Sequence, residues 1–336
     1  IDWKKSTSTE FLRQIEQILS RKGIPALHNA FVPIFFPPLH GPNLGWMHYI
    51  DAHISEAWLR IDPTTADINS TSIIVKLHRA LKKPSWVLVT QDNPGLWHNP
   101  LAKEEFMIHA ASCSANGGGI FGPCGVGAYP DSRTSKRGLE TVAEVFRYYR
   151  RIREYMEDVE PIKHVAITYS FNTRDYYERE DPKIYRYEFL GLCRAFIESH
   201  IPFNLIIPEL VKDETELKDY DLIVLPNVAC TSREFDALIS NYVKEGGSLL
   251  ATYETSLYNE NGERKENYSL ARVLGIAFRE KCESPSFYCE WAIEPTIWVG
   301  RGLIFEAEGE VMNRLVAPSF PDGVVDRLIS PPGRVT

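Results

Sequence analysis

Glu56 is the side chain in this sequence best placed for acid or base chemistry. It follows the apolar run from Met47 to Ser55, and a carboxylate that emerges at the end of such a strand can meet a ligand in the following loop. His28 and Asn29 end a shorter strand-like run, Ile24–Asn29, and both can hydrogen-bond hydroxyl groups. Asp51 lies five positions before Glu56, and residues five apart on one strand point to opposite faces. The two therefore do not make a catalytic pair by themselves, and Asp51 is expected to hold a hydroxyl or orient His53. Asp92 shares a loop with Trp97 and His98. That composition suits a sugar, because a carboxylate accepts two hydroxyl hydrogen bonds and an indole offers an apolar face to a pyranose ring.

Other chemistries find less support. Cys230 follows a strand as an amidotransferase nucleophile would, but His200 is the last histidine of the chain, so the base for a Cys–His pair is lacking. The six cysteines include no CxxC pair; Cys282 and Cys289 are close enough for a hairpin disulfide, and a zinc site would need further ligands. Gly117, Gly118 and Gly119 do not form a dinucleotide fingerprint, since Pro123 and Pro130 interrupt any helix that would follow. Close strand packing or a ligand-side loop is the better account of them. No Walker A, HExxH or EF-hand pattern occurs, and neither cofactor nor metal is expected.

The 336 residues carry 37 basic and 45 acidic side chains, a formal charge of −8. This balance argues against nucleic acid and against a polybasic membrane-surface protein. With 44% hydrophobic and 12% aromatic residues the chain can bury a substantial core. No apolar run reaches membrane-spanning length. The polar stretch Ile1–Thr9 does not read as a signal peptide, and scattered cysteines suit reduced thiols, so a cytoplasmic location is expected. The stripe Arg147–Arg153 reads as a solvated helix face or a domain contact.

These residues need elements to position them. Helical spacing of Phe11, Leu12, Ile15, Ile18 and Leu19 predicts a helix over Thr9–Lys22. Strands are expected at Ile24–Asn29, Met47–Ser55, Trp86–Val89 and Gly117–Gly122, alternating with helices at Asp67–Leu81, Glu104–Ala115 and Thr141–Met156. The long loops follow the strands, as they do on the ligand-binding face of a (β/α) barrel, although a doubly wound sheet shows the same alternation. A second α/β unit begins near Pro161. Its strands are expected at Lys163–Tyr169, Phe203–Ile207, Leu222–Leu225 and Ser248–Thr252, with helices at Tyr185–Ser199 and Arg233–Glu245. The tail beyond Ile297 shows only strand-like runs such as Leu303–Glu306.

Three runs in the second unit carry a family resemblance: Asp219-Tyr-Asp-Leu-Ile-Val-Leu-Pro-Asn227, Lys244-Glu-Gly-Gly-Ser-Leu-Leu-Ala-Thr252 and Ser269-Leu-Ala-Arg-Val-Leu-Gly275. The stretch Lys163–Gly275 resembles the trimerisation domain of family 42-like β-galactosidases, a relative of the class I glutamine amidotransferase fold. Upstream, Tyr49-Ile-Asp-Ala-His-Ile-Ser-Glu-Ala-Trp58, Lys83-Pro-Ser-Trp-Val-Leu-Val89 and Ala115-Asn-Gly-Gly-Gly119 resemble the barrel of hypothetical glycosyl hydrolase 6 proteins and of α-L-fucosidases.

The resemblance implies an α/β chain comprising the C-terminal part of a (β/α)8 TIM barrel (1–158), a flavodoxin-like domain (159–296) and a tail that starts a further β segment (297–336). The four early strands would be the last four of eight, and a second catalytic carboxylate would come from the other half. The implied activity is hydrolysis of a glycosidic bond by acid/base carboxylates. Such a pair stands roughly 5–5.5 Å apart in retaining enzymes and roughly 6.5–9.5 Å in inverting ones. Glu56 would be the catalytic carboxylate, with Asp51, His28, Asn29, Asp92 and Trp97 lining the carbohydrate. A homo-oligomer, in keeping with a trimerisation domain, is the expected assembly. The competing reading is a non-catalytic carbohydrate-binding or oligomerisation module.

Overall fold

The computed structural model describes residues 2–29, 43–57, 69–90, 92–93, 96–100, 102–124, 135–156, 159–178, 184–290, 295–309, 315–319 and 324–329. They form two compact units, Ile1–Leu210 and Val211–Thr336.

The first unit opens with α1 (Asp2–Ser20), which begins seven residues earlier than the apolar spacing suggests. Its first turns are polar and it buries Leu12 alone. Gly23, at φ +64°, ends it: Gly23 N–H donates to Ser20 O and Ile24 N–H to Leu19 O, satisfying orphan carbonyls of the last turn. The strands β1 (Leu27–Asn29), β2 (Ala52–Ala57) and β3 (Ser85–Thr90) follow. After them come a short hairpin, β4 (Asp92–Asn93) with β5 (Leu96–Pro100), and then β6 (Gly119–Cys124). β1, β2, β3 and β6 make one four-stranded sheet in that order, every pair parallel. Helices α2 (Ser70–Ala80) and α3 (Lys103–Ala115) supply the crossovers.

One face of this sheet is packed. Ile73, Ile74, Leu77 and Leu81 around α2, with Phe106, Ala110 and Cys113 of α3, are buried, as are Val87 and Val89 of β3. The other face carries Leu27, Asn29, Glu56, Trp86 and Phe121. Leu27, Trp86 and Phe121 remain exposed. Trp86 and Phe121 stack with centroids 6.3 Å apart. Close approach accounts for Gly118 and Gly119, and Gly117 lies at φ +80°. A Cβ on Gly119 would stand 2.5 Å from the Trp86 ring, and one on Gly118 would stand 2.7 Å from Val75 and 2.9 Å from the Cys113 sulfur.

Helix α4 (Lys136–Ile152) is capped by Ser135, whose hydroxyl accepts the Gly138 N–H at 3.3 Å. The unit closes with β7 (Val165–Thr168), α5 (Ile184–Glu198) and β8 (Phe203–Ile206). β7 and β8 pair in parallel, and Tyr169, Tyr185 and Phe189 pack ring against ring beside them.

In the second unit, β9 (Leu222–Leu225) and β10 (Ser248–Ala251) pair in parallel around α6 (Arg233–Lys244). Ser232 caps α6, its hydroxyl accepting the Phe235 N–H at 3.2 Å. A short helix, α7 (Ala271–Leu274), ends at Gly275 in the left-handed region. The next element differs from the sequence reading. β11 (Ile276–Glu290) and β12 (Pro295–Ala307) form a long antiparallel hairpin, joined by β13 (Leu315–Ser319) and β14 (Val324–Ile329) in the order β12-β11-β13-β14. Register shifts between Phe278 and Glu280 and between Ser284 and Phe287 break the two-residue alternation by which a strand is read. The side chains of Cys282 and Cys289 lie outside the described residues.

Candidate functional site

β1 and β2 run in parallel with Asn29 opposite Ile54, so Asn29 shares a face with Ile54 and with Glu56 one pleat further on. The Asn29 amide donates to the Glu56 carboxylate, Nδ2 to Oε1, at 2.7 Å. This is a short, charge-assisted bond. Glu56 is half-buried and Asn29 exposed, on the open face of the sheet near the C-terminal ends of its strands. The bond fixes the orientation of the Glu56 carboxylate.

β2 is anchored from the other side. Ser55 points to the packed face, and its hydroxyl lies 2.9 Å from Nε2 of His78 on α2. His78 Nδ1 lies 2.7 Å from the Ser85 hydroxyl of β3. The His53 ring stacks on His78 at 4.8 Å, with its Nε2 3.0 Å from the Met47 sulfur. A neighbouring histidine, His109, meets the Thr71 hydroxyl through Nδ1 at 2.8 Å. Burial holds the pKa of His53 down to about 4 and that of His109 to about 4, and it pushes His78 well below the ordinary range. These imidazoles are therefore neutral bracing for the strands. A Ser–His contact this deeply buried is no nucleophile, because both side chains are shut off from solvent.

The remaining predicted residues fall elsewhere. His28 is adjacent to Asn29 and so turns to the opposite face, where its ring meets Trp46 at 4.8 Å and burial lowers its pKa. Asp51 precedes β2, at the far end from Glu56, and its carboxylate accepts the Ala26 backbone N–H at 2.7 Å. It ties β1 to β2 rather than joining Glu56. Strand parity and strand direction thus separate His28 and Asp51 from the carboxylate they were expected to accompany. The side chains of Asp92 and Trp97 lie outside the described residues. The bond between Asn29 and Glu56 was not legible in advance. Its only signal is that two polar residues end adjacent strands, and the register decides whether they meet.

Among the described residues, no group of three His, Cys, Asp or Glu side chains is arranged to hold a metal ion. No described helix is long and apolar enough to cross a membrane.

The parallel β9–β10 pair, the α6 cap and the Gly275 turn fall within a segment that a known family describes. Residues 163–284 match the β-galactosidase trimerisation domain. The match extends into β11, beyond the stretch in which the sequence resemblance was seen. Solved structures agree at the level of fold. The chain is similar to the catalytic mutant of Gan42B, a GH42 β-galactosidase from G. stearothermophilus, with TM-score 0.71 and 18% identity over 87% of this chain and 47% of that one. It is also similar to the cold-adapted β-galactosidase from Rahnella sp. R3, with TM-score 0.73 and 16% identity over 94% and 51%. The α-L-fucosidase isoenzyme 2 from Paenibacillus thiaminolyticus follows, with TM-score 0.67 and 14% identity over 96% and 48%. The chain spans about half the length of these structures. None of the curated proteins matches it. The fold is α/β with parallel sheets, similar to that of GH42 β-galactosidases.

Proposed function

We infer that the chain is part of a glycoside hydrolase-like protein in which Glu56 is a catalytic carboxylate and Asn29 positions it. The observation that carries this reading is the 2.7 Å bond from Asn29 to Glu56 on the open face of a parallel sheet. In (β/α) barrels the C-terminal ends of the strands are where catalytic side chains gather. The exposed Leu27, Trp86 and Phe121 on that same face support a half-barrel reading, since parallel sheets are normally covered on both faces. In this account β1, β2, β3 and β6 are four strands of a (β/α)8 barrel, other strands cover the open face, and a second carboxylate comes from them. The β7–β10 region is the flavodoxin-like domain.

The reaction is hydrolysis of a glycosidic bond, with Asp92 and Trp97 as further sugar contacts. Glu56 acts by moving a proton or by attacking the anomeric carbon, and the Asn29 amide holds its orientation in either role. The test is an aryl-glycoside panel on the full-length protein beside Glu56→Gln.

The match at residues 163–284 favours a second reading, in which the chain's role is assembly. On that reading the protein is a homo-oligomer, and the sheet binds carbohydrate without turnover. Light scattering after size exclusion tests the assembly, and a strict monomer counts against it.

A further inference from the structure

A cleft of 480 Å³ lies within the first unit, away from Glu56. One wall is the polar side of α1, where Asp2, Lys5, Thr9 and Arg13 recur at spacings of three and four and so share one face. Tyr49 and Asn172 line the same cleft. The floor is built on Asp175, which is 1% exposed. One of its oxygens binds the Arg174 guanidinium at 2.6 Å and the other the Lys5 ammonium at 2.6 Å. Lys5 also sits 4.6 Å over the Tyr176 ring, whose hydroxyl donates to Asp2 at 2.6 Å, so wall and floor are tied together. At the rim, a Cβ on Gly45 would stand 2.8 Å from the Thr9 hydroxyl, and glycine lets the chain come this close.

The floor and the α1 wall are largely satisfied internally, but two other lining groups are not. Neither the Tyr49 hydroxyl nor the Asn172 side-chain amide has a hydrogen-bond partner among the described residues, and both line the cleft. Together they offer three donor hydrogens and acceptor oxygens at two points. The charges around them cancel: Asp2, Glu10 and Asp175 against Lys5, Arg13 and Arg174. A charged ligand would gain little here, whereas a neutral, hydroxyl-rich one matches the free groups. The volume lies within the roughly 300–1,000 Å³ range of small-ligand sites and admits one or two sugar rings.

We propose that this cleft is a second carbohydrate-binding site, taking a neutral mono- or disaccharide through Tyr49 and Asn172. It is distinct from Glu56, because Tyr49 leads into β2 whereas Glu56 stands near its other end. At the rise per residue of a strand, six residues span roughly 16 Å. The site does not depend on Glu56 being catalytic.

The experiment titrates galactose, glucose and lactose, at millimolar concentrations, into the parent protein and into Glu56→Gln. Binding is read by calorimetry and by backbone hydrogen exchange. At least one sugar is expected to bind Glu56→Gln and to protect α1 and residues 171–175 from exchange. Its affinity should fall by about tenfold or more in the Tyr49→Phe/Asn172→Ala double variant. Three results overturn the proposal: no binding of any of the three sugars to Glu56→Gln, undiminished binding to a folded double variant, or protection confined to β1 and β2. Should the double variant fail to fold, the exchange pattern in Glu56→Gln decides alone.

Discussion

Lowering the pH from 7 to 5 should weaken the first unit through its buried histidines. His53 and His109 have folded pKa values held down to about 4 by burial, against about 6.5 for an exposed imidazole. The unfolded chain therefore takes up these protons first. Their contribution to stability is complete above pH 6.5 and is lost as the pH falls from 6.5 towards 4. Integrating the two titrations from pH 7 to pH 5 gives about 2 kcal/mol for each imidazole. Buried His78 adds to the loss in the same direction. Glu209 acts oppositely, because burial raises its pKa and acidification relieves a cost. The discriminating quantity is therefore a difference between proteins. Urea unfolding of the parent and of His109→Gln at pH 7 and pH 5, followed by circular dichroism, measures it. The parent should lose about 2 kcal/mol more than the variant over this range. Equal pH dependence in the two proteins would refute a buried neutral His109.

Two further substitutions test the packing. Gly119→Ala sets a methyl group 2.5 Å from the Trp86 ring, so the indole must move. The expected result is a loss of about 1–3 kcal/mol in urea unfolding together with an altered tryptophan emission. Ser232→Ala removes the N-cap bond to the Phe235 N–H and should cost about 1 kcal/mol in the same assay.

The elements that sequence made legible are those with unbroken periodicity and marked ends. β9 has the apolar run expected at Leu222–Leu225, and α6 lies between its Ser232 cap and the Gly246–Gly247 stop. The alternation of strands and helices in the first unit could be followed for the same reason. β11 could not, because charged residues from Arg279 to Glu283 and two register shifts hide its pleat. At the candidate site, Glu56 was visible as a strand-end carboxylate, but its partner was not. Asn29 lies 27 residues away, and only the pairing of Asn29 with Ile54 brings the two together. Strand parity turns His28 to the packed face, and strand direction leaves Asp51 at the opposite end. Parity along one strand can be counted in a sequence, whereas register between strands depends on packing that the sequence does not spell out.

The central claim rests on Glu56, and one comparison tests it most directly: kcat/KM of the full-length protein and of Glu56→Gln on the aryl glycoside turned over fastest. The amide keeps the size of the side chain but can neither transfer the proton nor attack. The account predicts a fall of about a thousandfold or more, equivalent to at least about 4 kcal/mol of transition-state stabilisation. Turnover by Glu56→Gln equal to that of the parent would contradict it.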